Sequence, residues 1–132
     1  MFGFLGARPV DLGVRNGALR PCPAIPNCVG SEAGTPSGQQ VSPFTAPGGA
    51  ADLRRFTALL AGWPRTTVVT QNAEYVHAEC ASRVFGFIDD LEVRLDAARK
   101  VIHVRSQARL GRQDFGVNRK RVEALREAWQ RR

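Results

Sequence analysis

The fold is decided by residues 66–107, which read TTVVTQNAEYVHAECASRVFGFIDDLEVRLDAARKVIHVRSQ. Segment 66–70 is β-branched throughout, and apolar residues alternate with polar ones in 75–82, 88–95 and 100–107. Alternation with a period of two is typical of β-strands with one buried and one more polar face. The connections between these runs are short, which favours antiparallel pairing. The segment therefore predicts an antiparallel sheet of three to four strands.

Helical patterns flank the predicted sheet on both sides. One apolar stripe at i, i+3 and i+7 lies in residues 50–61, and a second lies near the C-terminus. The stripes are Leu53, Phe56 and Leu60 in the first helix and Val122, Leu125 and Trp129 in the second. We expect an α+β fold in which both helices cover one face of the sheet.

The first 49 residues have a different composition from the rest of the chain. They contain 9 of the 13 glycines and 7 of the 8 prolines and show no sustained periodicity, which predicts an extended arm with turns. Apolar residues are spaced along the arm, namely Leu19, Ile25, Val29, Val41 and Phe44. We expect the arm, 1–49, to pack on a compact α+β domain, 50–132; the alternative is a disordered linker.

The excess of positive charge lies in the C-terminal quarter of the chain. The 132 residues carry a net charge of +7, and residues 99–132 hold 11 basic and 3 acidic groups. The hydrophobic fraction of 43% excludes wholesale disorder, and no apolar run is long enough for a transmembrane helix. Arginine forks suit phosphate and carboxylate groups, so the segment suggests nucleic-acid or anion binding, with a solvated helix face as the alternative.

Three cysteines are present, and we expect Cys22 and Cys28 to be structural. A zinc knuckle needs a closer first pair and a second pair elsewhere, so we predict no metal at these residues. A Cys22–Cys28 disulfide is sterically allowed and would require an oxidising compartment. Cys80 lies in a strand pattern and is expected in the core.

The N-terminus starts with an apolar stretch too short for a signal-peptide core. The sequence as written therefore predicts a cytoplasmic protein, and we expect a monomer without a cofactor. The alternative is an exported or membrane-anchored protein whose apolar leader is missing.

A glycine-containing loop precedes the second helix at residues 111–116. Asp114 can cap this helix, and an anion could lie at its N-terminus beside nearby arginines. The predicted ligand-binding residues are Arg105, Arg109, Asp114, Asn118 and Arg119. The alternative is a capped turn whose arginines pair with Asp114 and with two structural carboxylates, Asp89 and Asp90.

Polar residues of the alternating strands share one face of the predicted sheet. His77, Glu79, Glu92 and His103 could bind a metal or perform acid–base chemistry and are the catalytic candidates. The alternative is a solvated, salt-bridged surface. No nucleophile motif accompanies these residues, so the sequence does not favour an enzyme.

We expect residues 88–95 and 100–107 to form a hairpin through loop 96–99. This register places Glu92 opposite His103 and Asp90 opposite Arg105. The Glu92 carboxylate would then favour the imidazolium and raise the pKa of His103. The arginines 105 and 109 are expected to pair with Asp89, Asp90 or Asp114.

Several motifs together resemble one protein family. Residues 21–29 read PCPAIPNCV, residues 85–92 read FGFIDDLE, and residues 105–123 read RSQARLGRQDFGVNRKRVE. With RPVDLGVRNGALRPCP at 8–23, these segments resemble the bacterial and plant family called domain of unknown function 1499. The chain departs from the family pattern at Gly30, Ala108 and Arg112, where serine, serine and an aromatic residue are common. The resemblance implies no activity, and it implies that relatives often carry a leader or lipid anchor.

The function expected from these observations is binding rather than catalysis. We expect a small non-enzymatic domain that binds a protein partner or an anionic small molecule through its Arg-rich C-terminal segment. One alternative is a hydrolase-like or metal-dependent enzyme that uses the polar sheet face. The other is non-specific nucleic-acid binding, which is less favoured because few aromatic residues accompany the arginines.

Overall fold

The computed structural model describes residues 6–83 and 85–132 and has the expected α+β class. Within these described residues, two helices and eight strands follow one another. They are β1 (Val14–Arg15), β2 (Ala18–Leu19), β3 (Cys28–Gly30), β4 (Phe44–Thr45), α1 (Ala50–Ala61), β5 (Thr66–Gln71), β6 (Tyr75–Ala81), β7 (Ile88–Asp96), β8 (Val101–Ala108) and α2 (Val117–Gln130). A short 3₁₀ turn, Ser37–Gln39, lies between β3 and β4.

The sheet has more strands than the sequence predicts. Strands β5 to β8 are the four predicted ones, and they pair in sequence order with antiparallel neighbours. The arm adds β3 and β4, which both pair with β8, so the sheet has six strands. A separate two-stranded ribbon joins β1 to β2. These extra strands have two or three residues each, too few to show a periodic pattern.

The apolar core lies between the two helices and one face of the sheet. Both predicted stripes of α1 and α2 are buried in it. The Phe56 ring lies 4.8 Å from the Phe44 ring and 5.2 Å from the Trp129 ring, measured between centroids. The Trp129 Nε1–H donates to the Thr45 carbonyl at 2.8 Å, which ties α2 to β4. Each large side chain buried in this way stabilises the fold by about 1.5–3 kcal/mol.

The predicted register of the β7–β8 hairpin is wrong by two residues. Glu92 lies opposite Arg105, and Arg94 lies opposite His103. The loop is formed by residues 97–100 rather than 96–99, because Asp96 remains in β7 and its Oδ1 accepts the Arg99 N–H at 3.1 Å. Lys100 closes the turn with φ at +59°. The expected Glu92–His103 and Asp90–Arg105 cross-strand pairs do not form.

The arm is held by a disulfide and by buried apolar side chains. Cys22 and Cys28 are bonded to each other, and Cys80 is a free, buried thiol. Of the five apolar arm residues, all but Ile25 are buried. The Gln39 Nε2 amide donates to the carbonyls of Pro23, Ile25 and Cys28 and so closes the loop between the two cysteines.

Neither α1, with 12 residues, nor α2, with 14, is long and apolar enough to cross a bilayer, and no other described segment is such a helix.

Candidate functional site

Nine side chains of β6, β7 and β8 point away from the helices and form what we call the polar face. The register sets them in three rows across the sheet. The rows are Tyr75–Arg94–His103, His77–Glu92–Arg105 and Glu79–Asp90–Gln107. This grouping follows from strand alternation, which places every second residue on the same face.

The centre of the polar face is buried, although charged sheet faces are usually solvated. His77, Asp90, Glu92 and Arg105 are each at most 3% exposed. The arm covers them, since the Gly13 N–H donates to Glu92 Oε2 at 2.7 Å. A buried charge is costly unless it is paired, so the partners of each group decide what this face can do.

Arg109 neutralises one end of the polar face. Its Nε and Nη2 donate to the two oxygens of Asp90, both at 2.8 Å, and Nη2 also donates to Glu79 at 2.5 Å. The predicted pairing of Arg109 with Asp90 is therefore confirmed. Arg8 of the arm donates to the same Glu79 oxygen at 2.7 Å.

The same end carries a hydrogen-bonded histidine. His77 Nε2 lies 2.7 Å from Asp90 Oδ1. Burial by itself would raise the pKa of Asp90, but hydrogen bonds from Arg109 and His77 outweigh it and hold that pKa below its usual range. Ligand atoms of His77, Glu79 and Asp90 lie within 4.8 Å of one another, a spacing that suits a metal ion, but the Arg109 guanidinium already bridges the two carboxylates.

Glu92 lies at the centre of the polar face. Its Oε2 accepts the Tyr75 hydroxyl at 2.5 Å in addition to the Gly13 amide. Burial, together with the hydrogen bond to Glu92, raises the pKa of Tyr75 well above its usual value. The other oxygen, Oε1, is 4.0 Å from Arg105 Nη1, which is an ion-pair contact but not a hydrogen bond.

Arg105 is the least satisfied charged group of the polar face. Its Nη2 donates to Gln107 Oε1 at 2.7 Å, and its Nε–H is buried without a hydrogen-bond partner among the described residues. Burial, and next the nearby charge of Arg20, lower the pKa of Arg105 to about 10. Its expected pairing with Asp89, Asp90 or Asp114 is replaced by the loose contact with Glu92.

Arg20 of the arm has the same deficiency. One of its nitrogens pairs with Asp11, but its Nε–H is buried and, within residues 6–83 and 85–132, has no hydrogen-bond partner. About two-fifths of its side chain is exposed. Two neighbouring guanidinium groups thus each keep one buried N–H donor unused.

His103 lies at the opposite end of the polar face from Arg109. Its Nδ1 is 2.9 Å from Ser31 Oγ and 3.8 Å from Glu32, whose carboxylate also binds Arg94. Burial lowers the pKa of His103, and the Glu32 charge offsets this only in part. The expected increase in this pKa is therefore wrong.

The remaining predicted ligand residues surround the start of α2. Asp114 accepts hydrogen bonds from the Gly116 and Asn118 backbone N–H groups at 2.9 and 3.1 Å, and from the Asn118 side chain at 2.8 Å. Arg119 donates to the carbonyls of Gly38 and Gln40. These hydrogen bonds all lie within the protein, so the turn before α2 is capped by the protein's own residues. Arg119 does not converge on a common point with Arg105 and Arg109.

Asp89 lies on the helix side of the sheet, away from the polar face. It pairs with Arg121 of α2 at 2.9 Å, and burial raises its pKa despite this partner. Arg121 also donates to Asn118, which accepts the Ser106 hydroxyl at 2.5 Å. Asp89 therefore anchors α2 on β7 and β8, a structural arrangement.

The structure brings together three of the four catalytic candidates. His77, Glu79 and Glu92 are neighbours on the polar face, whereas His103 lies beside Arg94 and Glu32. Sequence reasoning missed the arm residues that complete the face. These are Arg8, Asp11, Gly13, Arg20 and Glu32. No periodic signal marks them, because each reaches the sheet from an irregular segment.

Comparisons with known proteins give the chain a family but no relative of known activity. Neither the curated proteins nor the solved structures contain a match. The model of one family, described as protein of unknown function (DUF1499), matches residues 18–129. This match covers all strands of the six-stranded sheet, α1, all of α2 but its last residue, and the arm from β2 onward. The chain therefore belongs to the DUF1499 family, as its motifs predict.

Proposed function

We propose that this domain binds a small carboxylate-bearing molecule between Arg20 and Arg105, beneath the N-terminal arm. The observation that carries the proposal is the pair of buried Nε–H donors that lack partners among the described residues. An unsatisfied buried donor on a charged group costs at least about 1–3 kcal/mol. A carboxylate would accept hydrogen bonds from both groups and offset their mutual repulsion.

The surrounding charges favour a carboxylate over a phosphate. Glu92 and Asp11 lie close enough to Arg105 to affect its pKa. A singly charged ligand is repelled less by these two carboxylates than a doubly charged one. The planar guanidinium fork also matches the planar carboxylate in shape.

Two other arginines, Arg94 of the polar face and Arg109 beside it, already have carboxylate partners. Arg109 donates to Asp90 and Glu79, and Arg94 donates to Glu32. This engagement also weakens the enzymatic alternative, because a carboxylate held by Arg109 is a poor proton acceptor.

The nucleic-acid alternative has little support from the C-terminal arginines. Several are bound within the protein rather than aligned in one free stripe. They are Arg119, Arg121, Arg126 and Arg131, bound to carbonyls or carboxylates, and Arg132, which lies over the Trp129 ring.

The ligand would enter beside Arg20, which is partly exposed while Arg105 is not. The arm segment above them is held by hydrogen bonds from Gly13 to Glu92 and from Leu19 to Glu32. Lifting this segment would open the site, so the arm would act as its cover.

We also infer that the protein folds in an oxidising compartment. The Cys22–Cys28 disulfide supports this over the expected cytoplasmic location, because such bonds rarely persist in a reducing cytosol.

Binding can be measured by thermal unfolding and calorimetry with sodium acetate and sodium propionate at constant ionic strength. We expect both salts to raise the melting temperature relative to sodium chloride, and phosphate to raise it less. Arg20→Gln should remove most of the increase, since Arg20 is partly exposed and its loss should leave the fold intact. The matched control is Arg54→Gln, an exposed arginine on α1. Equal shifts in melting temperature in Arg20→Gln and Arg54→Gln would contradict the proposal. So would a wild-type melting temperature that rises no more in the carboxylate salts than in sodium chloride.

A further inference from the structure

Two loops at one end of the sheet expose a group of large apolar side chains. The β6–β7 loop and the segment between β8 and α2 both leave the sheet at this end, where the Arg109 N–H donates to the Ile88 carbonyl at 3.2 Å. Phe85 is 71% exposed and Phe115 is 83% exposed. The apolar residues of this surface, which we call the phenylalanine end, are Phe85, Phe87, Leu110, Phe115 and Val117.

The phenylalanine end is also basic. Arg83, Arg112 and Lys120 are exposed in or beside the two loops. The acidic residue in segments 82–87 and 110–120 is Asp114, whose carboxylate is turned onto the backbone N–H groups at the start of α2. The surface therefore presents apolar groups and positive charge without an exposed carboxylate of its own loops.

We propose that the phenylalanine end binds the surface of an anionic lipid bilayer. Exposed apolar clusters of this kind mark contacts with a protein or a membrane. Here the two most exposed apolar groups, Phe85 and Phe115, lie in loops, where they can insert among lipid head groups, and the basic groups beside them suit lipid phosphates. The charge complementarity favours a lipid surface with net negative charge over a neutral one.

The proposal is independent of carboxylate binding at Arg105. It rests on residues other than Arg20 and Arg105 and does not require the arm to lift from the polar face. An acidic protein surface is the other occupant that could match this chemistry, and the test below separates the two.

Co-sedimentation with vesicles of phosphatidylglycerol and phosphatidylcholine in equal amounts tests the proposal, with pure phosphatidylcholine vesicles as the comparison. We expect the wild-type protein, with its disulfide intact, to bind the anionic vesicles at least tenfold more tightly than the neutral ones. The double variant Phe85→Ser/Phe115→Ser should lose most of this binding while keeping its melting temperature. Arg83→Gln/Arg112→Gln should lose the preference for anionic lipid.

Matched controls are Val10→Ser, an exposed apolar residue of the arm, and Arg54→Gln, an exposed arginine of α1. Both should bind the vesicles as the wild type does. Absence of binding to anionic vesicles would overturn the proposal and favour an acidic protein surface as the occupant. Unchanged binding by the double phenylalanine variant, or equal losses in the controls, would overturn it as well.

Discussion

Arg109 is the residue on which the stability of the polar face depends most. Its side chain is 7% exposed, and it provides three hydrogen bonds, two to the buried Asp90 carboxylate and one to the partly buried Glu79. Removing one partner of a buried ion pair costs roughly 3–5 kcal/mol, because the other charge remains uncompensated. We predict that Arg109→Ala lowers the free energy of unfolding by about this amount, measured with urea. The exposed Arg112→Ala should change it by less than about 0.5 kcal/mol.

The same variant should also alter the response to acid. The pKa of Asp90 is lowered in the folded protein, so its contribution to stability is complete above the unfolded value of about 3.9 and is lost as the pH falls through the lower folded value. Without Arg109 this pKa should rise, and the loss of stability below pH 4 that is due to Asp90 should shrink. An acid response as steep as in the wild type would show that Arg109 does not hold the Asp90 pKa down.

His103 makes a second pH-dependent contribution to stability. Its sign is opposite to the one that the raised pKa predicted from the sequence would give. Its pKa is lowered by burial, so the unfolded chain binds a proton more readily than the folded protein does. Stability from this group should be complete above about pH 6.5 and decrease as the pH falls toward the folded value. His103→Gln should remove this decrease, measured by urea unfolding between pH 5 and 7.5. A His103 pKa above 6.5 in an NMR titration would contradict the prediction.

At the scale of elements, the turn between β7 and β8 sets the hairpin register. Lys100 takes a left-handed conformation, which costs an L-residue about 1–2 kcal/mol, whereas glycine loses only about 0.5–1 kcal/mol of backbone entropy. We predict that Lys100→Gly raises the free energy of unfolding by about 0.5–1 kcal/mol. Arg99→Gly, one residue earlier in the same turn and without a positive φ, should lower it instead. Changes of the same sign in both variants would contradict this account.

The long elements could be predicted from the sequence, because each repeats its pattern several times. Strand β7, with nine residues, and the apolar stripes of α1 and α2 are examples. The hairpin register could not be predicted from the sequence, because the alternation of apolar and polar residues is preserved when the pairing shifts by two residues. The deciding interaction is local, namely the Asp96 carboxylate on the Arg99 amide, and it keeps Asp96 in the strand.

At the scale of the whole molecule, the arm turns a charged sheet face into a buried layer. The contacts that achieve this are single and distant in sequence, such as Glu32 with Arg94 and Gly13 with Glu92. Strand alternation was enough to place His77, Glu79 and Glu92 on one face. The burial of that face, and the nearness of the Arg20 charge to Arg105, depend on where an irregular segment lies, which no periodic signal encodes.

The central claim is that Arg20 and Arg105 offer unused donors to a carboxylate. It can be tested most directly by following the arginine Nε–H resonances in ¹H–¹⁵N NMR spectra during titration with sodium propionate at constant ionic strength. The Nε–H groups of Arg94 and Arg109 already donate to Glu32 and Asp90 and serve as internal controls. We predict that the Arg20 and Arg105 resonances move downfield in a saturable manner while the two controls remain in place. Unmoved Arg20 and Arg105 resonances, or equal shifts in all four, would contradict the account.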